Sequence, residues 1–318
     1  MTRILVTGAA GQLGTELVPE LRRRYGADRV VTSDISPSVS DSTQGPSLLL
    51  DVTDARRLER TVAAERIDAI FHLAAILSAR GEARPQRTWA VNSGGLLSVL
   101  EAAREHGCAV FTPSSIAAFG PGTPPDPAPQ DTLQRPSTMY GVTKVAGELL
   151  CDYYHARFGV DARGVRYPGL ISHSAPPGGG TTDYAVEIFR EAAEHGRYSC
   201  FLAPDTRLDM LYMPDAIRAA IELMEADPDR LEHRNAFNVT AMQVTPEDIA
   251  AAIRRRMPDF RMEYDVDPRR QAIAESWPRR IDDSAARREW GWRPAWDLES
   301  MTEDMLNHLS GDRGTTGA

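Results

Sequence analysis

The chain reads as an α/β protein: a doubly wound, mostly parallel sheet with a smaller C-terminal domain. Three observations predict this. Apolar runs of strand length alternate with amphipathic stretches of helical period as far as about Pro168, the pattern of a sheet covered on both faces. A glycine-rich segment, Gly8-Ala9-Ala10-Gly11-Gln12-Leu13-Gly14, joins the first apolar run to the first amphipathic one. Past Pro168 the alternation gives way to a Pro/Gly loop, Ser172 to Gly180, and to less regular segments.

The elements follow in order. Ile4-Leu5-Val6 is the first strand and Gln12 to Tyr25 the first helix. Val30-Val31 and Leu48-Leu49-Leu50 are the second and third strands, and Ala55 to Glu65 is helical. Ala69 to Leu73 is the fourth strand. A long helix is expected after Pro85, with Leu96, Leu97, Val99, Leu100 and Ala103 on its apolar side. Ala109-Val110-Phe111 is the fifth strand. The helix from Tyr140 to Arg157 places Val142, Val145, Ala146, Leu149, Leu150 and Tyr153 at helical spacing. Ala162 to Arg166 is the sixth strand. Beyond it, helices are expected from about Thr182 to His195, Pro214 to Met224 and Pro246 to Arg256. Short strands are expected around Tyr198–Leu202 and Met210–Tyr212. Asp282-Asp283-Ser284 can cap a helix through Trp290. Gly311 to Ala318 is small and polar, the composition of a frayed end.

Composition narrows the function classes. The 318 residues, 42% hydrophobic and 25% charged, have an ordinary globular balance. A net charge of -9 disfavours non-specific nucleic-acid binding, which needs a basic surface. No run approaches the apolar length of a membrane span. The N-terminus enters a strand without an apolar leader. Cys108, Cys151 and Cys200 are too widely spaced for a disulfide framework or a metal-ligand set. Reduced thiols and a cytoplasmic location are expected, with no metal. Trp277, Trp290, Trp292 and Trp296 read as packing for the C-terminal domain.

The glycine segment has the chemistry of a phosphate cradle. Its spacing is G-x-x-G-x-x-G. Glycines permit a tight turn and let backbone approach a pyrophosphate, and the following helix N-terminus favours its charge. A plain β–α turn can also be glycine-rich. Asp34, at the end of the second strand, stands where an acid binds a ribose 2′-hydroxyl. It would repel a 2′-phosphate, and no arginine follows it directly in Asp34-Ile35-Ser36-Pro37. NAD is therefore favoured over NADP. Asp51-Val52 follows the third strand at the same sheet edge, though an acid there also suits a helix cap before Ala55.

Tyr140 and Lys144 stand four residues apart at the start of a helix, so they share a face. An ammonium near a phenol favours the phenolate, which makes a tyrosine usable as a general base. The pair is uninformative alone and gains weight from its company.

Together these residues resemble the extended type of the short-chain dehydrogenase/reductase superfamily. The matching positions are the Gly8–Gly14 loop, Asp34, Asp51-Val52, His72-Leu73-Ala74-Ala75, Asn92, Pro113-Ser114-Ser115, Tyr140-x-x-x-Lys144 and Arg166-Tyr167-Pro168. The resemblance implies a Rossmann sheet over residues 1–170, with 207–226 returning to it. Residues 171–206 and 227–318 would form the substrate domain. It implies Ser115, Tyr140 and Lys144 as catalytic residues. The cofactor-binding set would be Gly8, Gly11, Gln12, Leu13, Asp34, Ile35, Asp51, Val52, Leu73, Ala74, Ala75, Asn92, Tyr140, Lys144, Tyr167 and Leu170. Ser115 is preferred to Ser114 because it aligns with the family's Ser/Thr position. Asn92 would support the catalytic helix, with a water as candidate link. His72 reads as a strand-end histidine and not as a base.

Further segments are similar to the NAD-dependent L-threonine 3-dehydrogenases within that superfamily. They are Gly11–Pro19, Ile76–Ala79, Arg166–Ser172, Gly179-Gly180-Thr181-Thr182-Asp183-Tyr184-Ala185 and Leu211–Ala216. This similarity implies L-threonine as substrate, with Ser78, Ser115, Tyr140, Gly179, Gly180 and Thr181 around it and the loop Pro176–Gly180 moving over it. Thr181-Thr182-Asp183 would equally make a helix start. A homodimer is implied, paired through the helices Asn92–Glu105 and Tyr140–Arg157. The alternative is a nucleotide-sugar epimerase or dehydratase, whose pattern after the sixth strand is Arg-Tyr-Phe-Asn. This chain has Arg166-Tyr167-Pro168-Gly169 there.

Overall fold

The structure, a computed structural model, describes residues 1–40, 45–174 and 180–311. Six parallel strands form the central sheet in the spatial order Ser47–Leu49, Val30–Asp34, Ile4–Thr7, Ala69–His72, Ala109–Phe111, Ala162–Arg163. Numbered along the chain, these six run 3-2-1-4-5-6, the order of a Rossmann sheet. The winding reverses between Ile4–Thr7 and Ala69–His72, which pair from Ile4↔Ala69 to Thr7↔His72. A ligand crevice opens beyond the carboxyl ends of strands at such a reversal.

Side chains alternate across the first strand. Ile4 and Val6 join Leu17 and Leu21 of the helix Gln12–Tyr25 in one core. That core takes in Met213, Ala216 and Ala220 of the helix Met213–Glu225, and also Phe237 and Trp292. Leu5 faces the opposite core, with Leu58, Val99, Leu100 and Tyr154. A third core, built on Tyr184, Phe189, Met210, Ile249 and Met301, lies under the segments that follow the sheet.

Two expected elements are interrupted, each for a steric reason. The sixth strand stops at Arg163 and resumes as Val165–Tyr167. At Gly164 between them, a Cβ would lie 2.2 Å from the Thr112 carbonyl oxygen. The long helix expected after Pro85 is Pro85–Trp89, a wide turn at Ala90–Gly94 and then Gly95–His106. A Cβ at Gly95 would lie 2.7 Å from Val52 Cγ2, so the glycine lets this helix close on the third-strand loop.

The expected helix Pro246–Arg256 is present and begins with a reciprocal capping box between Thr245 and Asp248. Ser284–Glu289 is helical; Asp282 accepts from the Ser284 amide, while Asp283 makes no side-chain cap and pairs with Arg287. Strands Gly169–Ile171, Met242–Val244 and Arg261–Tyr264 and helices Pro268–Glu275 and Leu298–Gly311 were not legible in the sequence pattern. Among the described residues no helix is long and apolar enough to cross a membrane. The expected fraying of the C-terminus beyond Gly311 lies outside the described residues.

Candidate active site

One wall of the crevice is the glycine segment. Gly8 has φ 72°, and a Cβ there would lie 2.6 Å from the Ala74 amide nitrogen. The loop backbone therefore rests against the end of the fourth strand. Gly14 is equally confined, 2.6 Å from the Ala9 carbonyl oxygen. The helix Gln12–Tyr25 starts without a side-chain cap, which leaves first-turn amides for a ligand. Asp34 accepts from the Ala10 amide at 3.0 Å and the Ser36 amide at 2.9 Å, joining the second strand to this loop. Ile35 beside it is 65% exposed. Asp51 accepts from the Thr53 amide and hydroxyl, and these bonds hold its carboxyl below the usual range. The cap of the next helix comes instead from Asp54. Confined glycines, an uncapped helix start and an acid at the second strand end fit a dinucleotide.

The helix Met139–Phe158 contributes Tyr140 and Lys144 to the same lining. Thr138 caps its start, accepting from the Gly141 amide. Lys144 donates to the Pro113 carbonyl at 2.7 Å, and its Nζ lies 5.4 Å from the Tyr140 ring centroid. Ser115 ends a short strand paired with Tyr167, and its Oγ accepts from the Ala117 amide. Burial pushes the Tyr140 phenol up to about 12, and a hydrogen bond with Ser115 pulls in the other direction. Burial also pushes Lys144 down to about 8, opposed by the negative side of Glu148 and Cys151. The sequence expectation was a tyrosine lowered by the lysine. In the structure desolvation dominates, because burial penalises phenolate and ammonium alike. His72 bonds Thr7 Oγ1, and burial, aided by Lys144, takes it down to about 3; it is a neutral strand-end histidine, as expected.

Asn92 is fully engaged. Its Oδ1 accepts from the Ile76 amide, and its Nδ2 donates to the Ile76 carbonyl and to Thr143 Oγ1. It thus ties the helix Met139–Phe158 to the Ile76 segment directly, where the sequence suggested a water. It lines a small cavity that Lys144 also lines, and not the cleft that holds Tyr140.

A cleft of about 230 Å³ brings distant residues together. Gly8, Gly11, Gln12, Leu13, Leu73 and Ala75 line it. So do Ser115, Tyr140, Lys144, Tyr167 and Leu170, together with Ser78, Gly180 and Thr181. Asp34, Ile35, Asp51, Val52 and Ala74 lie outside this lining. Gly179 and the loop residues 176–179 lie outside the described residues. Asp183, expected as part of a helix start, accepts from the Gly180 amide at 2.7 Å and precedes the helix Tyr184–His195. Trp277 is 8% exposed and packs in the third core, as the sequence suggests; that it also lines the cleft is what sequence reasoning missed. No spacing rule connects it to residues so far back in the chain.

The model of the NAD dependent epimerase/dehydratase family matches residues 4–240. A Staphylococcus saprophyticus protein described as an uncharacterized epimerase/dehydratase is 53% identical over 98% of each chain. The solved L-threonine dehydrogenase of Clostridium difficile is 53% identical, with TM-score 0.95 over 98% of each chain. The holo form of a GalE-like L-threonine dehydrogenase from Cupriavidus necator is 51% identical, with TM-score 0.93 over 96% of this chain and 99% of that one. The present chain belongs to the NAD dependent epimerase/dehydratase family and is an NAD-dependent oxidoreductase.

Proposed function

We propose that this family member is an L-threonine 3-dehydrogenase, oxidising the C3 hydroxyl to give 2-amino-3-oxobutanoate. The observation that carries the reading is that one cleft is lined by the glycine segment, by Ser115, Tyr140 and Lys144, and by Ser78 and Thr181. The likeness to L-threonine dehydrogenases along nearly the whole chain supports it. The Gly8–Leu13 segment and Asp34 are the residues that would hold NAD, which when bound would supply the hydride acceptor. Tyr140 takes the proton of the alcohol. Ser115 hydrogen-bonds the same oxygen and steadies it. Lys144, as ammonium, offsets the desolvation of the Tyr140 phenolate. Ser78, Gly180 and Thr181, which line the same cleft, are the candidates to bind the amino-acid head group.

A nucleotide-sugar substrate fits less well. Its relatives carry an Asn where this chain has Gly169. A Cβ at Gly169 would lie 2.2 Å from Met210 Sδ and 2.9 Å from Thr182 Cγ2. The space for that Asn is already filled. We also read the chain as a homodimer. Leu97, Val142, Leu149, Tyr153 and Phe158 are exposed on the helices Gly95–His106 and Met139–Phe158, an apolar face suited to a two-fold contact.

The deciding assay compares NADH formation with L-threonine, its stereoisomers and uridine diphosphate sugars. L-threonine is expected to react. No NADH with L-threonine at any pH, or turnover of a nucleotide sugar instead, overturns the assignment.

A further inference from the structure

Glu148 sits on the same helix as Tyr140 and Lys144, one turn beyond Lys144, so the three share a face. It is buried, and its carboxylate is crowded with donors. Arg166 grips it bidentately, Nε to Oε1 at 2.9 Å and Nη2 to Oε2 at 2.8 Å. Gln134 donates to Oε2 at 2.7 Å, and Ser114 donates to Oε1. Ser114 immediately precedes Ser115 on the strand paired with Val165–Tyr167, which carries Arg166. Arg166 is itself held by the Gln130 carbonyl and Asn238. Glu148 and Lys144 also border a common cavity of about 30 Å³, the volume of one water molecule.

We propose that Glu148 is a positioning residue for this site: it ties the helix of Tyr140 and Lys144 to the strand of Ser115 and keeps Lys144 charged. The proposal rests on the catalytic roles given above to those three residues. A buried carboxylate bound by four donor groups has a fixed place, so the distance between helix and strand is fixed with it. Its charge faces an ammonium that burial drives toward neutrality. The other titratable groups facing Lys144 are Tyr140 and Cys151 on its own helix and His72 on the fourth strand; burial favours the neutral form of each. Arg166 and Asp152 act at the far side of Glu148 and not directly on Lys144. Glu148 is therefore the carboxylate among the groups that act on Lys144. It reaches Tyr140 only through Lys144, since Tyr140 itself responds to burial and Ser115.

The test separates charge from tether. Lysine 13Cε NMR, with the Lys144 signal assigned by its loss in Lys144→Arg, follows Lys144 protonation directly and needs no substrate. In Glu148→Gln the midpoint should fall by about one pH unit or more, since loss of a neighbouring opposite charge disfavours the ammonium. Should that variant not fold, with Arg166 left unpaired, the Glu148→Gln/Arg166→Met double variant removes the pair together and takes its place. An unchanged midpoint overturns the electrostatic role. Ser114→Ala removes the direct bond between Glu148 and the strand of Ser115, and leaves both charges and the Arg166 grip from the neighbouring strand. It should lower kcat several-fold with little change in KM or NAD affinity; an unchanged kcat overturns the tether. If the wild-type chain does not oxidise L-threonine, the substrate reading fails, and the NMR titration still decides the role of Glu148.

Discussion

Tyr140→Phe removes one hydroxyl from the lining of the cleft. Burial pushes that phenol up to about 12. At pH 7 only about one molecule in 10⁵ is then phenolate, a deficit of about 7 kcal/mol at roughly 1.4 kcal/mol per unit. The base form exists above the pKa and is lost as pH falls, so the rate of alcohol oxidation must climb with pH. The logarithm of kcat/KM for L-threonine should rise with a slope of about one per pH unit on the acid side. The rise should end below about 12, because the cationic nicotinamide adds to Lys144 in favouring the phenolate. The slope should weaken as Lys144, pushed down to about 8 by burial, loses its proton. Tyr140→Phe should abolish the pH slope and lower turnover by about 10²–10⁴-fold, about 3–5 kcal/mol in the barrier. Folding stability should change by only about 0.5–1.5 kcal/mol, the share of one hydrogen bond to Ser115. The assay is NADH absorbance across roughly pH 6 to 9, with NAD affinity followed separately by fluorescence. Turnover of Tyr140→Phe within tenfold of wild type, or a flat wild-type profile, would refute the assignment of the base.

Two further outcomes are expected. Trp277→Phe should raise KM for L-threonine by about 1–3 kcal/mol in binding terms, the scale of lost apolar complementarity in a pocket, while NAD affinity holds; an unchanged KM would return Trp277 to a packing role. Light scattering should give twice the single-chain mass, and Leu149→Lys with Tyr153→Lys should give a single chain; a single-chain mass for the wild type would sink the homodimer.

The parts that were legible share a local cause. Gly8–Gly14, Asp34 and the Tyr140/Lys144 pair lie at ends of elements whose order a single alternating pattern already implies. The catalytic helix was legible to within a residue at each end, since Thr138 and Gly159 stop it by local chemistry. The segment after Pro85 misled because its apolar spacing runs on across Gly94-Gly95. The wide turn there goes with bonds from Asn92 to Ile76 and Thr143, partners that the local pattern does not contain. Strands such as Phe237–Asn238 escaped for the same reason: two residues make a strand only because Val165–Arg166 lies beside them.

By itself, the sequence determined the alternation of strands and helices, the phosphate cradle and the shared face of Tyr140 and Lys144. All of these follow from periods and spacings within one element or one turn. Only the tertiary structure decided that Trp277 enters the cleft, that Gly169 has no room for a side chain and that Glu148 meets Arg166 and Ser114. It also decided the charge balance at the centre, where burial sets Tyr140 and Lys144 toward neutrality. Desolvation depends on everything packed around a group, and that surrounding is assembled from segments far apart in the chain.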